Sequence, residues 1–220
     1  MWWRPRKGRC HAGLEAVRLL RPGRACIGLG GVAYLSLENR LAGVLFFTVG
    51  LFTICTFGFH LFTGKVCYVF QKGGTDPRHL PLIWLGNLVG TGAVAAAVRL
   101  TRLAPLAEKA AGLCRVKLED SLPSVFLLAV LCNVFIYIAV EGFRSNPHEI
   151  GKYLSLFFGV MGFVLCGFEH CVANMFYIST AGLWSGRAAG YLLVMTLGNS
   201  AGGVLIPLAQ AFLRRPDRSE

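Results

Sequence analysis

A chain of 220 residues that is 55% apolar and only 15% charged has too little polar surface to cover a soluble globule, which predicts an all-α polytopic membrane protein. The net charge of +11 comes from 22 Lys and Arg against 11 Asp and Glu. It gathers at the chain ends and between apolar runs, a pattern that sets membrane topology, and no basic stripe is interleaved with exposed aromatics, so a nucleic-acid partner is not expected.

In chain order, residues 1–24 form a basic, atypical N-terminal segment without a recognisable signal-peptide cleavage site. A hydrocarbon core of about 30 Å needs roughly 20 apolar residues per helix. The first run, Ala25 to Leu37, is short for a span unless it reaches back through Arg18, Arg21 and Arg24. Five convincing runs follow, at about 42–70, 80–98, 122–140, 153–183 and 188–213. The runs 42–70 and 153–183 are too long for one upright helix, and both carry glycine and polar residues near the middle. Each is therefore predicted to be broken there. Residues 25–213 are expected to make one transmembrane domain, with a charged tail at 214–220. The eight cysteines contain no CxxC pair and lie mostly inside apolar runs, so neither a metal site nor a disulfide framework is expected, and no cofactor.

The two halves resemble each other. "WLGNLVGTGAV" at 84–94 aligns with "TLGNSAGGVLI" at 196–206, and "FGFHLFTGKVCYVF" at 57–70 aligns with "CGFEHCVANMFYIS" at 166–179. Two matches in the same order predict a duplicated three-span unit, about 25–100 and 120–213. An odd number of spans inverts the second copy in the bilayer and places a transport site at a pair of discontinuous helices. Gly86 with Gly90, and Gly198 with Gly202, are G-x-x-x-G pairs read as close helix packing. With both termini cytoplasmic, Lys and Arg number 14 inside against 7 outside, a balance that becomes level once residues 1–24 are left out.

Gly-Phe-Glu-His-x-x-Ala-Asn-Met-Phe at 167–176, an upstream Leu-Phe-Thr-Gly at 61–64 and two Gly-Asn-x-x-Gly helices together resemble the formate/nitrite transporter family, over about Cys26 to Leu213. The resemblance implies a six-helix, aquaporin-shaped protomer with spans two and five interrupted, assembled in the cell membrane as a homopentamer with one pore per protomer. Its partners would be small monovalent anions such as formate, nitrite and hydrosulfide. Carried over by motif, His170 and Thr63 would occupy the pore centre, Phe47, Leu51, Leu61, Phe62 and Phe163 the apolar constrictions, and Lys117 and Asn133 a vestibule and span four. The departure from the family pattern is the N-terminus, where three arginines stand in the first half of span one.

Moving a bare anion through an apolar throat strips its hydration, so the polar residues must offset that cost. Half-helix N-termini are expected to aim free N–H groups at the centre, and Lys117 to concentrate anions at one mouth. His170 either donates a proton to the anion or hydrogen-bonds through Thr63. Adjacent helical residues point about 100° apart, which predicts that Glu169 faces away from the pore and bonds backbone N–H groups freed at the break. Asn174 is expected to cap the second half-helix. His60 is read as bonding loop backbone and Lys65 as snorkelling. A neutral-solute channel of the aquaporin class is the alternative, but it should show Asn-Pro-Ala at both breaks, and neither break contains proline. A membrane hydrolase would need ligands at H-E-x-x-H spacing, which Glu169 and His170 do not supply, so no enzyme is expected.

Overall fold

The computed structural model describes residues 25–213, so residues 1–24 and 214–220, with the expectations made for them, lie outside the described residues. Among the described residues the chain is almost wholly helical. We number the helices α1 (Cys26–Ser36), α2 (Arg40–Phe57), α3 (Phe62–Val66), α4 (Leu80–Arg99), α5 (Leu106–Glu119), α6 (Leu122–Ser145), α7 (Glu149–Leu165), α8 (Cys171–Ala181) and α9 (Gly186–Leu213). The segments Arg40–Phe57, Pro77–Arg99, Leu122–Ser145 and Gly186–Leu213 are long and apolar enough to cross a membrane. Their outer faces carry bare apolar side chains, Val89 at 71% exposure and Leu197 at 63%, which suits lipid and not water.

Each of the two over-long apolar runs is carried by two helices. The run 42–70 holds α2 and α3, and the run 153–183 holds α7 and α8. The stop signal is the same at both places. Gly58 (φ 66°) and Gly167 (φ 72°) take the left-handed backbone that a residue with a Cβ adopts only under strain. Beyond them Phe59 N–H bonds Ile54 O at 2.9 Å and Phe168 N–H bonds Phe163 O at 3.0 Å, which closes each helix with the six-to-one bond of a Schellman cap. The residues concerned are equivalent in the alignment of the two halves, so the repeat seen in sequence is also a repeat of backbone geometry.

Packing follows the same duplication. α1 lies along α2 as α6 lies along α7, and α3 touches α9 while α8 packs on α4. The α6–α9 contact is the most extensive, and it depends on glycine: a Cβ at Gly202 would fall 2.0 Å from Val130 O, and one at Gly198 would fall 2.5 Å from Phe126 O. On the seam between the halves, Trp84 Nε1–H donates to Thr196 Oγ1 at 3.0 Å. These two residues occupy the same position in the repeat.

Candidate functional site at the two helix breaks

A helix that starts inside apolar surroundings exposes backbone N–H groups, and in lipid each must find a partner. Here the partner is an asparagine from the neighbouring long helix. Asn87 Oδ1 accepts from Phe62 N–H at 2.9 Å and its Nδ2 donates to His60 O at 3.2 Å. Asn199 repeats this at the other break, accepting from Cys171 N–H at 2.8 Å and donating to Glu169 O at 2.8 Å, with a further bond to Ala129 O at 2.8 Å. Both asparagines are buried. Sequence reasoning missed them as functional residues, although Leu-Gly-Asn-x-x-Gly had shown the Asn at the same place in each half.

The starts of α3 and α8 meet each other. Thr63 Oγ1 and His170 Nε2 are 2.9 Å apart, and both residues are buried. His170 is itself the N-cap of α8, its Nδ1 accepting from Ala173 N–H at 3.0 Å. A backbone N–H can only donate, so Nδ1 carries the lone pair and the neutral ring holds its proton on Nε2. That proton is directed at Thr63 Oγ1, which leaves the threonine hydroxyl hydrogen available for another acceptor. The ring is held from the side by Phe163, with centroids 5.5 Å apart and planes 19° from parallel. Phe163 in turn meets Phe47 edge to face at 6.2 Å.

Two cavities approach this contact from opposite ends of the helices. One, of about 250 Å³, is lined by Phe47, Phe163 and His170, with Lys117, Glu169 and Tyr34. The other, of about 540 Å³, is lined by Leu51 and Leu61, with Lys65, Tyr68, Arg144 and Lys152. Phe47 and Leu51, four residues apart on α2, therefore face different cavities. Phe62 is buried and lines neither, its N–H occupied by Asn87. Asn133 also lines neither; its Nδ2 donates to Thr63 O at 3.0 Å and so holds α3 in place.

Several side chains act otherwise than expected. Among the described residues Glu169 takes no backbone N–H through its carboxylate. Its Oε2 accepts from Lys117 Nζ at 2.7 Å and from Asn174 Nδ2 at 2.7 Å. Nor does it turn from the cavity that His170 lines, because residues 166–170 are not helical and the 100° rule does not apply to them. Asn174 does not cap α8, since His170 already fills that role; the amide supports the Glu169 carboxylate and touches Met195 Sδ at 3.2 Å. At these helix starts, the N–H groups of Phe62, Cys171 and Ala173 are each taken by a side chain. Arg40 was also missed: its Nη2–H donates to Leu165 O at 2.8 Å, tying the start of α2 to the end of α7.

Two opposed helix starts, braced by paired asparagines and approached by a cavity from each side, define a helical membrane protein built for passage. The model of the formate/nitrite transporter family matches residues 23–212, and the chain belongs to that family: it is a multi-pass membrane transport protein. It is 29% identical to an uncharacterized transporter, YrhG, of Bacillus subtilis, over 89% of this chain and 86% of that protein. With a probable formate transporter of Methanothermobacter thermautotrophicus it shares 32% identity over 80% of this chain and 76% of the relative. The fold is that of a solved pentameric formate channel with formate bound, at a TM-score of 0.78 and 24% identity, covering 92% of this chain and 98% of the other. Family membership sets the aquaporin alternative aside.

Proposed function

We propose that the chain conducts small monovalent anions of weak acids, namely formate, nitrite or hydrosulfide, through a pore in each protomer of a homopentamer, and performs no covalent chemistry. In this reading each protomer has six spans: α1, α2 with α3, α4, α6, α7 with α8, and α9, with both termini on the cytoplasmic side. The observation that carries it is the 2.9 Å contact between Thr63 and His170, buried between two cavities.

The chemistry follows from the tautomer. A neutral imidazole with its proton on Nε2 is a hydrogen-bond donor and a poor acid, and a proton arriving at Nδ1 would have to displace the Ala173 N–H. His170 therefore orients Thr63, and the threonine hydroxyl hydrogen meets the passing solute. The proton that neutralises the anion comes from vestibule water. Entry between Phe47, Phe163, Leu51 and Leu61 disfavours the charged form of the solute, as burial does for any carboxylate. A weak acid escapes the penalty by taking up that proton; the anion of a strong acid has no such escape.

Purified protein in liposomes tests this with formate, nitrite, hydrosulfide and chloride side by side. Flux of the weak-acid anions should rise by about tenfold per pH unit as pH falls, while the protonated fraction is small. Chloride should stay near the protein-free background. His170→Asn should lower formate flux by about tenfold or more while keeping the sign of the pH dependence, because in this scheme the ring does not supply the proton. Chloride flux equal to formate flux, or no anion flux from folded protein, defeats the proposal.

A further inference from the structure

Lys117 was expected to gather anions at its mouth, yet its ammonium lies 2.7 Å from the buried carboxylate of Glu169, and Asn174 donates to the same oxygen. Those donors are committed to the protein. Two hydroxyls on the wall of the 250 Å³ cavity are not. Tyr34, on α1, and Tyr177, on α8, both line that cavity, and among the described residues neither hydroxyl has a hydrogen-bond partner. Tyr177 is only 6% exposed. A buried tyrosine hydroxyl ordinarily finds an acceptor, so one left open beside a cavity points to a partner that enters the cavity.

The two phenols head a file of rings that runs to the pore centre. Tyr177 and Tyr34 have centroids 6.4 Å apart, Tyr34 meets Phe47 edge to face at 6.3 Å, Phe47 meets Phe163 at 6.2 Å, and Phe163 stacks on His170 at 5.5 Å. All of these rings line the same cavity. The first two carry O–H donors and the next two carry none, so a solute that follows the file meets hydrogen-bond donors before it meets the apolar constriction. The donors are also held in place. Gly43 of α2 lies against Tyr34, where a Cβ would fall 3.1 Å from its carbonyl oxygen and 3.3 Å from its ring, and Tyr177 packs on Phe176 at 5.6 Å. Little freedom is lost when such side chains bond a solute.

We propose that Tyr34 and Tyr177 form an oxyanion subsite at the entrance to the Phe47 and Phe163 constriction, and that this subsite favours formate and nitrite over hydrosulfide. The assignment rests on the anion-conducting reading above. The two O–H groups donate to the oxygens of the solute and replace hydration that it leaves behind in the vestibule. An O–H bond to a charged oxygen is among the stronger hydrogen bonds, whereas sulfur is a weak acceptor. A site built on such donors therefore discriminates against the solute that cannot use them.

The test is initial uptake of formate and of hydrosulfide, at low solute concentration and one fixed pH, into liposomes holding the full chain as parent, Tyr34→Phe, Tyr177→Phe and the double variant. Because neither hydroxyl bonds the protein, the variants should unfold at the temperature of the parent. Each single variant should lower the ratio of formate to hydrosulfide uptake about threefold to tenfold, and the double variant should lower it further. A double-variant ratio within about twofold of the parent's overturns the proposal, since the hydroxyls are then merely hydrated. In the parent, nitrite should compete with formate uptake at a several-fold lower concentration than hydrosulfide does. Equal competition by the two overturns the subsite, and does so even if no variant folds. No formate uptake by the parent overturns the proposed function itself, a result distinct from uptake without selectivity.

Discussion

The two helix breaks share a backbone and differ in their side chains. At both, a glycine in the left-handed region ends a long helix and an asparagine from the next long helix holds the restart. At the first break the residue at the restart is Leu61, which has no side-chain cap, and the helix after it runs five residues. At the second it is His170, which caps a helix of 11 residues and reaches Thr63 across the gap. Duplication thus supplied one scaffold twice, and divergence placed a polar ring on one side and an aliphatic wall on the other. A narrow passage needs both kinds of surface, one to hydrogen-bond the solute and one to exclude water.

The largest expected effect tests the shared part. Asn199→Leu strands Cys171 N–H and the carbonyl of Glu169 and removes the extra bond to Ala129 O, and Asn87→Leu strands one N–H and one carbonyl. At about 1–3 kcal/mol for each buried group left without a partner, Asn199→Leu should lose about 2–6 kcal/mol and yield little folded oligomer. Asn87→Leu should lose less, and thermal unfolding followed by tryptophan fluorescence in detergent would rank them. Equal losses would mean that the extra bond to Ala129 carries no weight.

Next comes the divergent part. Thr63→Val keeps the shape and removes the hydroxyl, and should lower formate flux by about tenfold while costing about 1–3 kcal/mol of stability, because it leaves the buried His170 Nε2–H without an acceptor. A variant that conducts like the parent would show that Thr63 only packs against the ring.

A smaller effect concerns the ion pair that only the second break possesses. Glu169→Gln leaves the Lys117 ammonium beside a neutral amide and should cost about 1–3 kcal/mol, below the range for a fully buried pair because Lys117 retains some access to water. The double variant Glu169→Gln with Lys117→Met should recover part of that loss. A double-mutant cycle on unfolding free energies measures the coupling, and additivity would mean that the two side chains stand side by side without stabilising each other. The smallest difference is expected where the breaks agree most. Gly58→Ala and Gly167→Ala should each cost about 1 kcal/mol, from the left-handed backbone, and the two values should match.

Much of the fold was legible. The apolar runs, the two places where a run was too long, and the duplication of Leu-Gly-Asn-x-x-Gly each follow from local composition or from identity at fixed spacing. The site was legible only in part. His170 and Thr63 stood out because they lie in motifs, while the partners of Glu169, the real cap of α8 and the bracing role of Asn87 and Asn199 depend on contacts between residues far apart in the chain. Lys65 looked like a side chain that would snorkel, and its place on a cavity wall became visible only once α2, α3, α6 and α7 were packed together.

What the sequence by itself determined is the solvent and the architecture: a bilayer, helices, and two copies of one unit. Those follow because hydrophobicity and glycine act on the nearest few residues, and a repeat is a relation among letters. Only the tertiary structure decided which charges cancel and which face a cavity, because the field of a lysine depends on what lies within a few ångströms. For Lys117 that neighbour is a carboxylate 52 residues away in the chain.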